Sequence, residues 1–210
     1  GDLFSYSEQL APKSITDTAL ESDVPLLEYL EELASNINVE DQHVIVLDWH
    51  NGNRSILSDS HLTGSVFGLT LQTPFEMIHR AYLESTAFGT KMIMNQFEDH
   101  HIPVHTVYAS GGIPKKSKLL VDIYANVLNK KVVVLESSNA TALGAAMLGA
   151  NVGGAYSTLK DAVEHMKQPI HYVKEPESEK VKAYKRLFDK YRQLHDILGR
   201  EHPTLSYIHK

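Results

Sequence analysis

Cysteine is absent from this 210-residue chain, which excludes a disulfide framework and a thiolate metal site. No apolar run approaches the roughly 20 residues that a transmembrane helix needs, and no signal peptide is visible. Positive charge is also scarce: 20 Lys and Arg against 26 Asp and Glu give a net charge of −6. That balance argues against a general nucleic-acid binder but leaves room for a local anion site. We therefore expect a cytoplasmic protein that binds neither nucleic acid nor a membrane.

The rest of the composition is that of an ordinary folded protein. Hydrophobic residues make up 42% of the chain and charged residues 22%. A chain of this length can form one large domain or two small ones, each with an ample core. Because it begins with Gly1 rather than methionine, we expect it to be a piece of a longer protein.

Residues 107–150 carry the most informative pattern. An apolar run ends at Ser110-Gly111-Gly112, and apolar residues recur at helical spacing from there to Leu128. A wholly apolar run at residues 132–135 then suits a parallel strand that is covered on both faces. The pattern predicts a strand, a glycine turn, a helix and a second strand.

The glycine turn suggests phosphate binding for a physical reason. Glycines let the backbone approach a ligand without a Cβ in the way, and a helix that follows offers free N–H groups and a positive dipole end. Lysines add positive charge here: Lys115, Lys116 and Lys118. The alternative, an ordinary strand-to-helix turn with solvated lysines, is equally compatible with the glycine pair alone.

Residues 110–150 also resemble a known family. The stretch SGGIPKKSKLLVDIYANVLNKKVVVLESSNATALGAAMLGA is similar to the adenosine-binding motif and following helix of the FGGY carbohydrate kinases. These kinases belong to the superfamily of actin, Hsp70 and hexokinase-like ATPases. Ser137, Ser138 and Asn139 can cap the small-residue helix, residues 140–150. Its glycines and alanines would let it lie close to the sheet and nucleotide, so we expect residues 143–146 to be buried against the sheet.

The resemblance implies a set of nucleotide-binding residues: Gly111, Gly112, Lys116, Asn139, Ala142, Gly1 and Ser5. The glycine pair would lie against the phosphates, and Lys116 stands where relatives often have an asparagine near the ribose or phosphate. Asn139 and Ala142 would border the adenine pocket, with Gly1 and Ser5 on its other wall. A P-loop is excluded, since GxxxxGK[ST] does not occur.

A polar loop after the predicted buried strand at residues 44–47 is the second informative stretch. It holds the only tryptophan, Trp49, which we expect to be exposed. LDWHNGNRS resembles the ribulokinase branch of the FGGY family through Asp48, Trp49 and Asn51, and the whole family through Arg54. The alternative is a structural lock, in which Asp48 caps backbone amides and Arg54 pairs with a carboxylate.

Residues 64–91 resemble the second FGGY signature. Thr73 to Glu76 predict a capping box, with Pro74 at the first position of a helix that runs to about residue 97. Arg80 and Glu84 are four residues apart and can pair on one helix face. We expect a structural ion pair there rather than a catalytic one.

The remaining segments predict no metal site. His100, His101 and His105 have no carboxylate at a recognised ligand spacing and read as a turn. Residues 169–176 are predicted to be irregular. After them, Ser178 would cap a long amphipathic helix, residues 179–198, which Gly199 would end.

The resemblance covers nearly the whole chain and implies a fold and a function. The fold would be an α/β, ribonuclease H-like ATPase lobe of the actin and hexokinase kind, with a mixed sheet flanked by helices and a long C-terminal helix. Residues 1–200 would form the C-terminal kinase domain and residues 201–210 a tail. The activity would be phosphoryl transfer from Mg-ATP to the 5-hydroxyl of L-ribulose, in arabinose breakdown.

The catalytic aspartate and the sugar ligands of such kinases come from an N-terminal lobe, which would precede Gly1. We therefore assign no catalytic residue and expect the chain alone to be inactive. A homodimer is compatible with this interpretation. Three alternatives stay open: another FGGY pentulose or polyol kinase, a non-catalytic actin-like nucleotide-binding module, and a dinucleotide-binding oxidoreductase. The missing GxGxxG argues against the last of these.

Overall fold

A computed structural model describes residues 10–136 and 139–207 of the chain. Its α-helices are α1 (Lys13–Glu21), α2 (Leu26–Ser35), α3 (Phe75–Asp99), α4 (Gly112–Lys116), α5 (Lys118–Leu128), α6 (Ala140–Val152), α7 (Leu159–Met166) and α8 (Ser178–Asp196). Its strands are β1 (Ile45–Leu47), β2 (Ser65–Phe67), β3 (Thr106–Ala109), β4 (Lys131–Leu135) and β5 (Ile170–Lys174). Short 3-10 turns lie at Val39–Asp41 and Pro203–Ser206, and a π-helical turn at Ile197–Glu201.

The strands form two sheets. β1 and β2 pair antiparallel, while the second sheet has the order β3-β4-β5. β3 runs parallel to β4, with Tyr108 opposite Val133, and β5 runs antiparallel to β4, with Val173 opposite Val133. The predicted mixed sheet flanked by helices is therefore confirmed. The irregular segment predicted at residues 169–176 is wrong, because β5 occupies it: pairing with β4 organises a stretch that its own sequence leaves ambiguous.

The main core lies between α3, α5, α8 and β1. The apolar face predicted for the last long helix is confirmed, since Tyr184, Leu187, Phe188 and Tyr191 are all buried. The rings of Tyr184, Phe188 and Tyr191 meet that of Phe88 in α3, and the Tyr191 and Phe88 ring centroids are 5.3 Å apart. Burying each such side chain stabilises the fold by about 1.5–3 kcal/mol.

A buried ion pair joins three helices within this core. Arg80 Nε donates to Glu84 Oε1 at 2.8 Å, and both side chains are almost wholly buried. Arg80 Nη1 donates to the Ala34 carbonyl oxygen of α2 at 2.7 Å, and the Tyr184 hydroxyl lies 2.8 Å from Arg80 Nη2. Burial raises the pKa of Glu84, and the nearby Arg80 charge opposes that shift. The structural ion pair predicted from the sequence is confirmed.

The helix boundaries predicted at Thr73 and Gly199 are wrong. α3 begins after Pro74 with no side-chain cap, because Thr73 Oγ1 instead accepts a hydrogen bond from the Thr70 N–H at 2.9 Å. At the C-terminal end of α8, Gly199 does not stop the helix, which continues into the π-helical turn. A Cβ at Gly199 would lie 2.4 Å from Leu57 Cδ1 and 3.1 Å from Trp49 Cη2. A side chain at this position would therefore require Leu57 to move.

The cap predicted for α8 is also displaced. Glu177, not Ser178, precedes the first helical residue, and its side chain forms no capping hydrogen bond. Beyond the π-helical turn, the chain packs against the loop between β1 and β2: the Tyr207 hydroxyl donates to Asp59 Oδ2 at 2.5 Å, and Thr63 Oγ1 donates to the Ser206 carbonyl oxygen. Among the described residues, no helix has both the length and the apolar character that crossing a bilayer requires.

Candidate functional site

The turn after β3 is the centre of the candidate site. Gly111 has φ 104° and ψ −175°, a conformation that an L side chain rarely adopts. Gly112 begins α4 and has no such backbone requirement. A Cβ built on either glycine would meet nothing within 4 Å. The backbone of this turn is therefore open to a ligand.

The helix behind the turn differs from the prediction, since Ser117 divides it into α4 and α5. Ser117 Oγ accepts a hydrogen bond from the Leu120 N–H at 3.1 Å, and Glu31 Oε1 accepts one from the Leu119 N–H at 3.0 Å. Ser117 and Glu31 thus bind N–H groups in the first turn of α5, which the sequence predicts to be available to a phosphate. Only the five-residue α4, which begins at Gly112, directly follows Gly111.

The positive charge at the turn is smaller than three lysines imply. Lys115 Nζ donates to the Glu136 carbonyl oxygen at 2.8 Å and to Glu136 Oε1 at 3.0 Å. This hydrogen bond from Lys115 is the main reason why the pKa of Glu136 is lowered. Lys116 and Lys118 are exposed and form no ion pair with any described residue, so they are the cations that a ligand could meet.

The small-residue helix α6 does not lie against the sheet, so that prediction is wrong. Ala142, Ala145 and Ala146 are exposed, and Met147 is the one buried residue of this helix. α6 packs on α7 instead. Leu148 is 55% exposed and Val152 88%. These apolar side chains are exposed because α6 is apolar on all sides but, within the described residues, packs against a neighbour on one side only.

The topology still brings the predicted residues to one edge of the sheet. Gly111, Gly112 and Lys116 follow the carboxyl end of β3, while Asn139 and Ala142 follow that of β4. Because β3 and β4 are parallel neighbours, both ends lie at the same edge, where open α/β sheets bind ligands. Gly1, Ser5, Ser137 and Ser138 lie outside the described residues. No group of three or more His, Asp or Glu that could hold a metal occurs in residues 10–136 and 139–207.

The loop after β1 is built differently from the prediction. Trp49 is only 1% exposed, and its ring meets that of His195 edge-on, with centroids 5.3 Å apart. The expectation of an exposed tryptophan is wrong. The apolar Leu47 before it and Leu57 after it were the available signal, because both also join the main core.

Asp48 and Arg54 have separate environments in this loop. The Tyr191 hydroxyl donates to Asp48 Oδ1 at 3.3 Å, and burial raises the pKa of this carboxyl. Gly89 lets α3 approach the carboxylate, since a Cβ there would lie 3.2 Å from Asp48 Oδ2. Arg54 is exposed and pairs with no carboxylate of a described residue, so the structural pairing proposed as an alternative is wrong.

Comparison with known proteins assigns the family. The model of the C-terminal domain of the FGGY family of carbohydrate kinases matches residues 3–152. The chain belongs to the FGGY family of carbohydrate kinases. This membership rejects the dinucleotide-binding oxidoreductase alternative. It also agrees with the motifs at residues 64–91 and 110–150.

Relatives of known name are similar over nearly the whole chain. Ribulokinase of Staphylococcus epidermidis is 74% identical over 208 residues, which cover 99% of this chain and 39% of that protein. Ribulokinase of Staphylococcus aureus is 55% identical over 199 residues, covering 95% of this chain and 36% of that protein. The chain therefore spans less than half the length of the curated relatives that it matches.

Solved structures confirm the predicted fold class. Xylulose kinase from Rhodospirillum rubrum superimposes with a TM-score of 0.75 at 23% identity, covering 96% of this chain and 38% of that one. Glycerol kinase from Plasmodium falciparum, solved with ADP, gives a TM-score of 0.65 at 23% identity, covering 87% and 36%. The chain thus has the actin and hexokinase-like ATPase fold that these sugar kinases share.

Proposed function

We propose that this chain is the nucleotide-binding C-terminal lobe of a ribulokinase. The complete enzyme would transfer the γ-phosphoryl group of ATP to the 5-hydroxyl of L-ribulose, which yields ADP and L-ribulose 5-phosphate for arabinose catabolism. The observation that carries this proposal is the 74% identity to a ribulokinase over 99% of the chain. Because the reaction consumes ATP, the proposed location is the cytoplasm.

The glycine turn suits the phosphates of the nucleotide. The open space around Gly111 and Gly112 leaves room for phosphate oxygens close to the backbone, and Lys116 supplies an exposed cation beside them. Asn139 and Ala142 would lie nearer the adenosine, at the end of the neighbouring strand. Gly1 and Ser5 keep their proposed place on the opposite wall.

Mg²⁺ would be bound through the nucleotide. Magnesium keeps several waters and is usually held by phosphate oxygens with one or two carboxylates, rather than by a cage made wholly of protein. The ion would neutralise charge as the phosphoryl group is transferred.

The sugar and the catalytic aspartate would be supplied by the larger part of the protein. We propose residues 1–200 as the C-terminal kinase domain and 201–210 as its tail, and that these residues alone transfer no phosphoryl group. Losing a general base alone removes about 10²–10⁴ in rate. Losing the positioning of the sugar removes effective concentration in addition.

Calorimetry of ADP binding to the 210-residue chain tests the nucleotide site. We expect measurable but weak binding, because one wall of the cleft alone contacts the ligand. A coupled assay with Mg-ATP and L-ribulose should give no turnover with this chain, but turnover when the whole enzyme is used. Turnover of D-xylulose or a polyol in preference to L-ribulose would favour another FGGY kinase.

Two further measurements address the remaining alternatives. Sedimentation with and without ATP tests the non-catalytic module, since nucleotide-dependent assembly without sugar phosphorylation would favour it. The same runs without nucleotide test for a homodimer, the assembly compatible with the sequence, which would sediment as two chains at micromolar concentration. A single-chain species would contradict the dimer and leave the kinase proposal standing.

A further inference from the structure

The β1–β2 loop, residues 48–63, contains the one sequence motif whose role the proposed function leaves open. Its structure is fixed at several points. Trp49 is buried in the main core, and Asn53 and Asp59 exchange backbone hydrogen bonds of 2.8 and 2.9 Å. Asn53 Oδ1 also accepts a hydrogen bond from the Leu57 N–H at 3.3 Å. The loop is therefore held in one conformation rather than left free.

That conformation is strained. Ile56 has φ 84° and Ser58 φ 54°, whereas Gly52, at φ 74°, adopts a positive φ without strain. A β-branched residue such as Ile56 at positive φ is a genuine outlier, and only surrounding contacts can maintain it. Such strain collects at binding sites, where it holds a recognition group in place. Strain does not indicate which ligand would bind. The charges in the loop indicate its chemical class.

Arg54 differs from every other arginine of the chain. Arg80, Arg186, Arg192 and Arg200 each lie within ion-pair distance of a carboxylate. Arg54 is exposed and has no such partner among the described residues. Its guanidinium is therefore presented to solvent with its donors available, on a loop that the core holds rigid.

The other charges of the loop make this an environment for an anion. The carboxylates of Asp48 and Asp59 each accept a hydrogen bond from a tyrosine, Tyr191 and Tyr207. The exposed side chains near Arg54 in the sequence are uncharged hydrogen-bonding groups: Asn51, Ser55 and Ser58. The loop thus turns negative charge toward the protein and leaves a cation and neutral donors outside.

We propose that Arg54 is a recognition residue for a phosphoryl group of the ligands. The planar fork of a guanidinium fits phosphate oxygens bidentately, which a lysine does not reproduce. The inference rests on the proposed function, in which both the nucleotide and the sugar phosphate product carry phosphoryl groups. The shared chemistry is the phosphoryl oxygen, and the experiment separates the two sources.

The test follows the Arg54 side-chain Nε–Hε signal by NMR in the 210-residue chain. Inorganic phosphate, ADP and L-ribulose 5-phosphate are titrated separately, with acetate as a carboxylate control. The proposal expects a saturable shift with phosphate and with at least one of the other two phosphorylated ligands. Arg54→Gln should lower the affinity for the ligand that gives the shift about tenfold or more, and Arg54→Lys should recover part of this affinity.

Arg192→Gln is the matched control, since Arg192 is also an exposed arginine but lies 3.8 Å from Asp189. It should leave the affinity unchanged, and Arg54→Gln should leave the melting temperature unchanged. If ADP but not L-ribulose 5-phosphate gives the shift that phosphate gives, the ligand is the nucleotide, and the reverse result assigns the product. No shift, an equal response to acetate, or an equal loss in Arg192→Gln would overturn the proposal.

The two proposals can fail separately. If ADP binds and Gly112 variants weaken it, while Arg54 responds to no phosphorylated ligand, the Arg54 inference is wrong and the nucleotide site stands. If Arg54 responds to phosphate and sugar phosphate but ADP does not bind, the nucleotide site is wrong and the inference stands.

Discussion

The Tyr184 hydroxyl donates to Glu84 Oε1 at 3.1 Å and lies 2.8 Å from Arg80 Nη2. It therefore joins the long helix α8 to the buried ion pair of α3, 100 residues earlier in the chain. Burial raises the pKa of Tyr184 well above its usual value, so the hydroxyl remains protonated and can donate. One phenol thus completes the hydrogen bonding of two buried charges.

Replacing Tyr184 with phenylalanine should destabilise the fold by about 1.5–3 kcal/mol, the usual loss for a hydrogen bond to charged groups. The buried guanidinium and carboxylate each lose a partner, while the ring still fills its place. Urea unfolding measures the change. Tyr108→Phe is the control, because Tyr108 is 67% exposed and should change little. Equal stability of the two variants would show that the hydroxyl is dispensable.

Acid should destabilise the protein through His79. This side chain is 2% exposed, and burial lowers its pKa to about 4 from the usual 6.5. The unfolded chain therefore takes up the proton first, so the stabilisation is complete above pH 6.5 and lost progressively as the pH falls toward 4. We expect a loss of about 2 kcal/mol between pH 7.5 and 5.

The measurement is denaturant unfolding at several pH values, compared with His79→Gln. The variant removes this titration and leaves all others, including the opposing raised pKa of Glu84, in place. The difference in unfolding free energy between the two proteins should thus shrink as the pH falls. A constant difference from pH 7.5 to 5 would contradict the prediction.

The two glycines of the turn should respond differently to substitution. Gly111→Ala places a Cβ at φ 104° and ψ −175°, a region that is essentially restricted to glycine, and should destabilise the fold by roughly 1–3 kcal/mol. Gly112→Val meets open space and should leave the melting temperature nearly unchanged, but its side chain would enter the proposed phosphate path. Calorimetry should then show ADP binding abolished. Unchanged ADP affinity in folded Gly112→Val would reject the phosphate assignment.

Ala145→Leu should leave the stability of this chain unchanged. The sequence alone predicts overpacking by roughly 1–3 kcal/mol, but Ala145 is exposed on α6. Thermal unfolding decides between the two. Met147→Ala is the positive control, because Met147 is the buried residue of the same helix and its loss should lower the melting temperature. A lower melting temperature for Ala145→Leu would mean that the helix packs as the sequence predicts.

The sequence predicts the parts of the fold that local pattern and family resemblance determine. The apolar face of α8, the Arg80–Glu84 pair and the parallel β3–β4 unit all follow from residue spacing. The strand β5 was missed because its pairing with β4 is a tertiary effect. The cap at Thr73 was wrong because a local turn, with Thr70, competes for the same hydroxyl oxygen.

The candidate site was predictable in position but not in detail. Glycines at a strand end identify the turn, yet nothing in the sequence reveals that Lys115 is bound to Glu136 or that Glu31 reaches the Leu119 N–H. Both partners are distant in the chain. The sequence predicts too much burial for α6. Its small apolar residues show that the helix can pack closely, but not which of the described residues lie next to it.

Trp49 gives this protein a built-in optical probe. It is the only tryptophan, so the indole emission of the folded chain comes from one place, where β1 ends and the ring meets His195. Water reaching that indole would shift its emission to longer wavelength. If residues 197–207 separate from the β1–β2 loop, the shift in Trp49 emission would therefore report this separation before the remainder of the chain unfolds, without any label.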